Sequence, residues 1–417
     1  MLTRLTMLTV ILFVAAAAPA DWPQFLGPGR TGVIRTDAKL ARTWPAAGPK
    51  VLWTADVGAG FAAPAVADGQ VYLLDRVGNS DVLRCWDLQT GKELWKASFE
   101  APGQSRDKGY AGSRSTPAVD EKHVYAVGPF GGLYCVDRKT HQPVWRKNIV
   151  TDFAGKVPQW DVSQSPLLYK DWVLIAPQSG KAGVVALEKA TGREVWRTES
   201  IGSMQYASPL LTTIGGAEQV VMLANVGKQT TIHGIDVKNG RILWKYDGWR
   251  CSIPVPSVTA IGDGRFYITG DYGAGCAMFQ VTGAEGNFSA KTLWKNRNAG
   301  SHIHNGLLYE GHIYSNSSRD GKGLVCQALD GDVKWQTGRN PSFDLGGGLV
   351  IVNDLIYIID GRGGTLHLVE ASPQKYNELA QAKLLEGRNN WAPPVYTSGR
   401  LLIRDHQNLK VLDVTAD

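Results

Sequence analysis

Cysteine is scarce and scattered: the chain has five in 417 residues, and no two of them are adjacent. An odd count leaves at least one free thiol. Cys85, Cys135 and Cys326 fall in apolar, strand-like runs at similar places in successive repeats, where a thiol behaves as a small buried hydrophobe. Cys251 and Cys276 lie in one repeat and are the pair able to bridge, with free thiols as the alternative. Charge is thin too. Charged residues make up 20% of the chain, the net charge is +6, and no block of like charge occurs. That excludes the basic stripe of a nucleic-acid groove and leaves a mixed, solvated surface. A Gly-x-Ser-x-Gly elbow, a phosphate loop, a His-Glu-x-x-His pair and a calcium-hand loop are all missing. Carboxylates are dispersed among turns, so no acid/base pair stands out. Glycine runs such as 346–348 and 361–364 lack the following helix that phosphate binding requires, and tight turns explain them.

Past residue 20 no apolar run is long enough to span a bilayer. The start of the chain is different. Arg4 precedes an apolar stretch over residues 5–18, and Ala18-Pro19-Ala20 places small residues around a cleavage position. This predicts a signal peptide over 1–20 and a soluble product exported to the periplasm or the medium. The leader contains no cysteine, so lipid attachment at the cleavage site is not available. Arg4 is its only charge, and its removal lowers the net charge by one.

What the sequence has in abundance is repetition. Asp87-Leu-Gln-Thr-Gly91-Lys-Glu-Leu-Trp95 returns as Asp137…Trp145, Glu188…Gly192…Trp196 and Asp236…Gly240…Trp244. Later copies are degenerate: Trp294 follows a longer loop with Gly283 and Gly286, and Gln327…Gly331…Trp335 has lost the acid. Spacing of this order signals a solenoid, propeller or array. Each repeat opens with a small or polar residue before proline and an apolar run, as in Ala63-Pro64, Thr116-Pro117, Ser165-Pro166, Ser208-Pro209 and, more loosely, Val255-Pro256. Proline suits the first residue of a strand, where no ladder N–H is needed. Alternating strands such as His123-Val-Tyr-Ala-Val127 follow.

Each repeat therefore holds four short strands, which is a propeller blade. The expected fold is all-β: an eight-bladed β-propeller over 50–417 with four-stranded blades. The blades begin near Phe61, Arg114, Ser163, Tyr206, Ile253, His302, Phe343 and Asn390. The last blade lacks an outer strand, and the segment around Val51-Leu-Trp53-Thr-Ala55 supplies it, closing the ring and removing open strand edges. Residues 21–49 form an N-terminal extension packed on the propeller. Trp53, Trp95, Trp145, Trp196, Trp244, Trp294 and Trp335 are read as structural docking residues between blades. Burying a ring of ~150–250 Å² at ~25 cal/mol/Å² contributes up to about 4–6 kcal/mol.

The Asp-x-x-Thr-Gly-x-x-x-Trp phrase resembles the tryptophan docking motif of pyrroloquinoline-quinone-type propeller repeats. That superfamily includes quinoprotein alcohol dehydrogenases and the outer-membrane assembly factor lipoprotein. Asp21-Trp-Pro-Gln-Phe-Leu-Gly-Pro-Gly-Arg-Thr-Gly32 and Trp391-Ala-Pro-Pro394 resemble a group of exported propellers common in planctomycete-like bacteria. The first resemblance implies a quinone cofactor (PQQ) with calcium, held by adjacent cysteines and a Glu, Asn and Asp set. This chain has no adjacent cysteines and no position that matches those ligands, so no cofactor is expected. The assembly factor carries a lipid-bearing cysteine after its signal, and this chain has Asp21 there.

In a propeller the loops before each strand opening ring the channel mouth. The candidate ligand-binding residues are Arg114, Gln164, Tyr206, Arg250, His302, His304, Asn305, Asp344 and Trp391, with Ser115 beside them. Aromatic faces and polar donors of this kind suit a small polar or sugar ligand; a water-filled channel with hydrogen-bonded walls is the alternative. His302-x-His304 is the one metal-like spacing. A third ligand, His312 or Asp344, is not fixed by the sequence, so no metal and no catalytic residue is assigned. The functional expectation is an exported, non-catalytic binding propeller of the cell envelope, meeting an envelope protein or a small ligand, with no nucleic-acid partner. The alternatives are a PQQ-dependent dehydrogenase and a carbohydrate-binding propeller.

Overall fold

The computed structural model describes residues 21–106, 111–317, 321–339, 341, 343 and 347–416; the expected signal peptide lies outside them. Among the described residues there is no α-helix, and no helix is long and apolar enough to cross a membrane. The strands form eight sheets, seven of four strands and one of five. Blade 1 shows the pattern: Ala65–Ala67, Gln70–Val77, Ser80–Asp87 and Glu93–Glu100, paired antiparallel in chain order. Its second strand is buried over six consecutive residues, because a blade in a ring is covered on both faces by its neighbours. Its outer strand buries only Trp95 and Phe99. The inner strands thus read as apolar runs and the outer ones as alternation, as burial on two faces or one requires.

Blades 2 to 6 repeat this order over Ala118–Asn148, Leu167–Arg197, Leu210–Tyr246, Thr259–Asn296 and Leu307–Gln336. Blade 7 runs from Leu349 to Lys383. Blade 8 has Val395–Thr397, Arg400–Arg404 and Asn408–Asp413 from the end of the chain, and Val51–Asp56 is its outer strand, pairing antiparallel with Asn408–Asp413. The two ends of the chain close the ring as the sequence predicts.

The docking tryptophans work across blade boundaries. Trp53, Trp145, Trp196, Trp294 and Trp335 each donate their indole N–H to a backbone carbonyl in the next blade, at Leu88, Lys189, Val237, Leu329 and Ser372, over 2.8–3.0 Å. Four of these carbonyls lie in the turn that carries the motif's glycine. The acid sets that turn: the Asp87 carboxylate accepts from the backbone N–H groups of Gln89 and Thr90 at 3.1 and 2.7 Å. Two copies differ. Trp95 stacks on His141, which replaces the turn glycine, at 5.2 Å between centroids. Trp244 donates instead to Gln219 Oε1 of its own blade and packs on Phe266 and Phe279 of blade 5, because that blade has a long hairpin, Gly275–Ala284 with Asn287–Asn296, in place of the short turn.

The extension is built into the ring. Trp22 bridges to Val66 of blade 1, and the Pro23 carbonyl accepts from Val119 N–H of blade 2. The Arg30 guanidinium reaches the Pro166 carbonyl of blade 3 at 3.0 Å. Val33–Ile34 then pairs parallel with Leu349–Val352, becoming the fifth, innermost strand of blade 7, and Leu40 bridges to Thr415. A segment that touches the inner strands of blades 1, 2 and 3 and then, through Val33–Ile34 and the Thr36–Tyr396 hydroxyl contact, those of blades 7 and 8 crosses the bore.

Both Cys251 and Cys276 are free, so the Cys251–Cys276 bridge is not formed; all five cysteines are buried thiols. Each of the two has its own partner, the Asp271 carbonyl for Cys251 and the Asn296 carbonyl for Cys276. Burial pushes both thiols up to about 11, which keeps them protonated and unreactive.

Candidate functional site: a cup at the channel mouth

The channel mouth opens into a cavity of about 930 Å³, at the upper end of the ~300–1,000 Å³ typical of small-molecule sites. Phe25 of the bore-crossing extension is part of its lining, so the cavity is a cup with its far end crossed by residues 21–34. Of the residues predicted from sequence, Arg114, Tyr206, His302, His304, Asn305 and Trp391 line it.

Two others do not join them. Gln164 is buried beneath the wall, where its side-chain amide donates to the Ala176 carbonyl at 2.7 Å and accepts from the Ala176 N–H at 2.6 Å. That pairing of inner loop to strand satisfies both backbone groups of Ala176. Arg250 is exposed and away from the cavity, because its neighbours Trp249 and Cys251 take the inward positions. Asp344 lies outside the described residues. Ser115 is buried and does not reach the cavity.

The wall also contains residues the sequence reading passed over. Phe61 opens blade 1 and Trp160 precedes the opening of blade 3; Asn389 stands just before Trp391. The positional rule that found Arg114 and Tyr206 also covers them. Tyr272, Asp360 and Arg362 come from a second set of loops, between the second and third strands of blades 5 and 7, which open on the same face. Phe25 had no signal, since nothing in an unrepeated extension says which ring will enter the bore.

One sector of the wall is a stack. Phe61 lies on Trp391 with ring centroids 5.0 Å apart, His406 meets Phe61 edge-on at 4.6 Å, and the Arg114 guanidinium sits 5.0 Å above the Phe61 ring. Arg114 donates to Asp161 Oδ2 at 2.9 Å and to the Gly112 carbonyl at 2.8 Å. Burial pulls the Arg114 guanidinium down and the Asp161 carboxylate offsets this; it stays charged, and its charge is balanced within the protein. Beside this pair, the Tyr206 hydroxyl accepts from the Trp160 backbone N–H at 3.2 Å, and burial raises its pKa. The Tyr272 hydroxyl lies 3.2 Å from His302 Nε2.

Below these rings runs a belt of hydrogen bonds from blade to blade. Thr116 N–H donates to Ser165 Oγ at 2.9 Å, Ser165 N–H to Ser208 Oγ at 2.8 Å, Ser208 N–H to Ser257 Oγ at 2.8 Å, and Ser257 N–H to Asn305 Oδ1 at 3.0 Å. The small polar residue at each blade opening therefore serves its neighbour's backbone. Asn305, predicted as a ligand residue, commits its carbonyl oxygen to this belt.

The donor set bears on metals and quinones. His302 and His304 both line the cup, but His312 holds the Glu310 carbonyl at 3.0 Å from Nδ1 in a hairpin turn and is not part of the lining. Among the described residues no group of three or more His, Cys, Asp or Glu side chains gathers as a metal site. Asp360, the carboxylate on the described wall, already accepts from the Arg362 and Gly363 N–H groups at 3.0 and 2.9 Å. No cysteine lines the cup. The residues described here do not fit a quinone held by vicinal cysteines with a Glu, Asn and Asp calcium set.

Comparison with known proteins agrees with the architecture. The chain is 30% identical over 141 residues to the dehydrogenase subunit of a quinone alcohol dehydrogenase from Komagataeibacter europaeus, covering 32% of this chain and 19% of that protein. It is 29% identical over 120 residues to the outer membrane protein assembly factor BamB of Kangiella koreensis, covering 28% of each. The chain thus spans less than a third of the length of these curated relatives. Among solved structures it resembles BamB from Moraxella catarrhalis (TM-score 0.62, 14% identity, 88% of this chain and 99% of that one). It also resembles the quinohemoprotein alcohol dehydrogenase of Comamonas testosteroni (TM-score 0.65, 14% identity, 95% and 81%). At that identity the likeness concerns the fold alone. The family model described as outer membrane protein assembly factor BamB matches residues 78–248 and 228–416; with most of its length matched, the chain belongs to that family.

Proposed function

We propose that this protein is an exported, non-catalytic binding propeller of the cell envelope, taking a small polar ligand into the cup at its channel mouth. The observation that carries this reading is how the cup's polar groups are engaged. Arg114 is paired with Asp161, the Asp360 carboxylate holds its own turn, and Asn305, Ser208 and Ser257 belong to the inter-blade belt. Such a wall presents ring faces and fixed dipoles for recognition, while general acid/base work needs a titratable group aimed at a reacting atom. The name of the family and of its Kangiella relative, outer membrane protein assembly factor, shared with the Moraxella protein of like fold, supports an envelope setting and an envelope protein as a partner.

The test is turnover. Protein purified from the periplasm of its host, with and without added PQQ and calcium, is assayed against primary and secondary alcohols with an artificial electron acceptor. The expected result is no turnover above a heat-treated control. Sustained turnover overturns the reading and favours the dehydrogenase alternative, which the similarity to quinone alcohol dehydrogenases supports.

A further inference from the structure

The shape and charge of the wall narrow the ligand's chemistry, on the basis of the binding role just proposed. Tyr272 provides the strongest clue. It sits in the turn between Arg265–Gly270 and Gly275–Ala284 with φ of +60°, and Gly273 beside it has φ of +74°. Two successive positive φ angles in a tight hairpin turn favour Asn, Asp or Gly, whose side chains tolerate the left-handed region. A bulky residue there is an outlier that costs about 1–3 kcal/mol. The ring gains little from burial in return: Tyr272 is 42% exposed, at the lip of the cup, edge-on to His302 at 5.6 Å. The turn thus carries a large, partly exposed ring at a backbone position that favours a smaller residue, and backbone strain of this kind clusters at binding sites.

Trp391, stacked on Phe61, is a second ring on the wall. The deeper wall charge is balanced internally, with Arg114 against Asp161 and both side chains nearly buried. The lining also carries Arg362 and Arg388 against the one described carboxylate, Asp360, a modest positive excess, beside ring faces and imidazoles that offer contacts without a fixed charge. A pyranose has the complementary form. Its C–H face suits the negative face of an aromatic ring, and its hydroxyl edge both donates and accepts. Neutral imidazole likewise donates at one nitrogen and accepts at the other.

We infer that the cup binds a neutral sugar, as a monosaccharide or the end of an oligosaccharide, with Tyr272 and Trp391 as its stacking faces and His302 and His304 at its hydroxyl edge. Titration calorimetry on the intact mature chain tests this. The probes are glucose, mannose, galactose and N-acetylglucosamine and their tetrasaccharides, beside tetrasaccharides of glucuronate and galacturonate. At least one neutral sugar is expected to bind, and Tyr272→Asn to weaken it by about tenfold or more, equivalent to about 1.4 kcal/mol. Because Asn suits the turn, Tyr272→Asn is expected to melt at or above the parent's temperature, which separates lost recognition from lost folding. Trp391→Ala is expected to weaken the same sugar. Tighter binding of the uronates than of every neutral probe overturns the ligand class and leaves the binding role standing. Absence of binding by all probes, or unchanged affinity in Tyr272→Asn, overturns the inference; only alcohol turnover overturns the non-catalytic reading beneath it.

Discussion

The backbone N–H of Ser165 in blade 3 donates to the hydroxyl of Ser208 in blade 4 at 2.8 Å, with both residues buried. Four such links join blades 2 to 6, each from the residue that opens one blade to the residue that opens the next. The inner ends of the blades are thereby registered by directional bonds, while the outer ends are registered by the docking indoles. Ser208→Ala strands a buried N–H and is expected to destabilise the fold by about 1–3 kcal/mol. Ser208→Thr, which keeps the hydroxyl, is expected to recover most of this, and Thr213→Ala, at an exposed position of the same blade's inner strand, to cost less than about 0.5 kcal/mol. Denaturant unfolding followed by tryptophan fluorescence reads the ranking.

The outer registration is tested at Gly240. Its φ is +76°, and a Cβ there would sit 2.6 Å from the Trp196 ring of the previous blade. Gly69 has a similar φ of +71° with open space around its Cβ position. Gly69→Ala therefore measures backbone strain alone, about 1–2 kcal/mol. Gly240→Ala is expected to add an overpacking cost of about 1–3 kcal/mol. Equal melting temperatures for the two variants would show that the ring does not rest on that glycine.

Most of the ring was legible because its determinants are local and repeated. An acid, a glycine and a tryptophan at constant spacing specify a turn and the indole that covers it, and the segment around Val51–Ala55 reads like the strand that follows that turn, at the other end of the chain. The site was legible only in part. Arg114, Tyr206 and Trp391 were found by their place before a strand, but Gln164 shares that place and turns inward to Ala176, since side-chain direction in an irregular loop has no period. Tyr272 was invisible for another reason: its signal is a dihedral angle, and Tyr-Gly reads as an ordinary turn until φ is known. The path of Phe25 across the bore depends on contacts with blades that are distant in sequence.

Two buried imidazoles give a pH dependence of definite sign. Burial pulls His233 down to about 4, with Lys245 adding to the effect, and it pulls His406 down to about 4, chiefly by burial and then by Arg404. In the unfolded chain both titrate near ~6.5, so between these values the unfolded state binds more protons and stability rises with pH. The contribution is complete above about pH 6.5 and is lost as pH falls toward 4. Turn carboxylates held low, such as Asp87 and Asp137, add to acid unfolding only below about pH 4. Unfolding midpoints measured from pH 8 to 4 are expected to fall across this window, and His233→Gln to flatten the slope. A parent profile that is flat from pH 6.5 to 4 would contradict the burial of both rings.

Blade 7 has no docking tryptophan of its own, and the extension replaces it. In blades 1, 2, 5 and 6 a tyrosine of the second strand lies 6.0–6.3 Å from the blade's own tryptophan: Tyr72 and Trp95, Tyr125 and Trp145, Tyr267 and Trp294, Tyr314 and Trp335. The register that leads from Tyr72 through Cys85 to Trp95 leads in blade 7 from Tyr357 through Leu368 to Ala380. Trp44 supplies the missing ring, stacked 6.3 Å from Tyr357. Trp44→Ala is expected to cost about 2–4 kcal/mol, somewhat under the usual value for a fully buried ring because Trp44 is half-buried. Ala380→Trp alone forces a second ring into an occupied wedge and is expected to destabilise as well. The double variant Trp44→Ala/Ala380→Trp puts one ring back into one wedge, so its loss should fall well short of the sum of the two single losses, a coupling of about 1–3 kcal/mol. Simple additivity would mean that Trp44 holds the extension down without completing the blade.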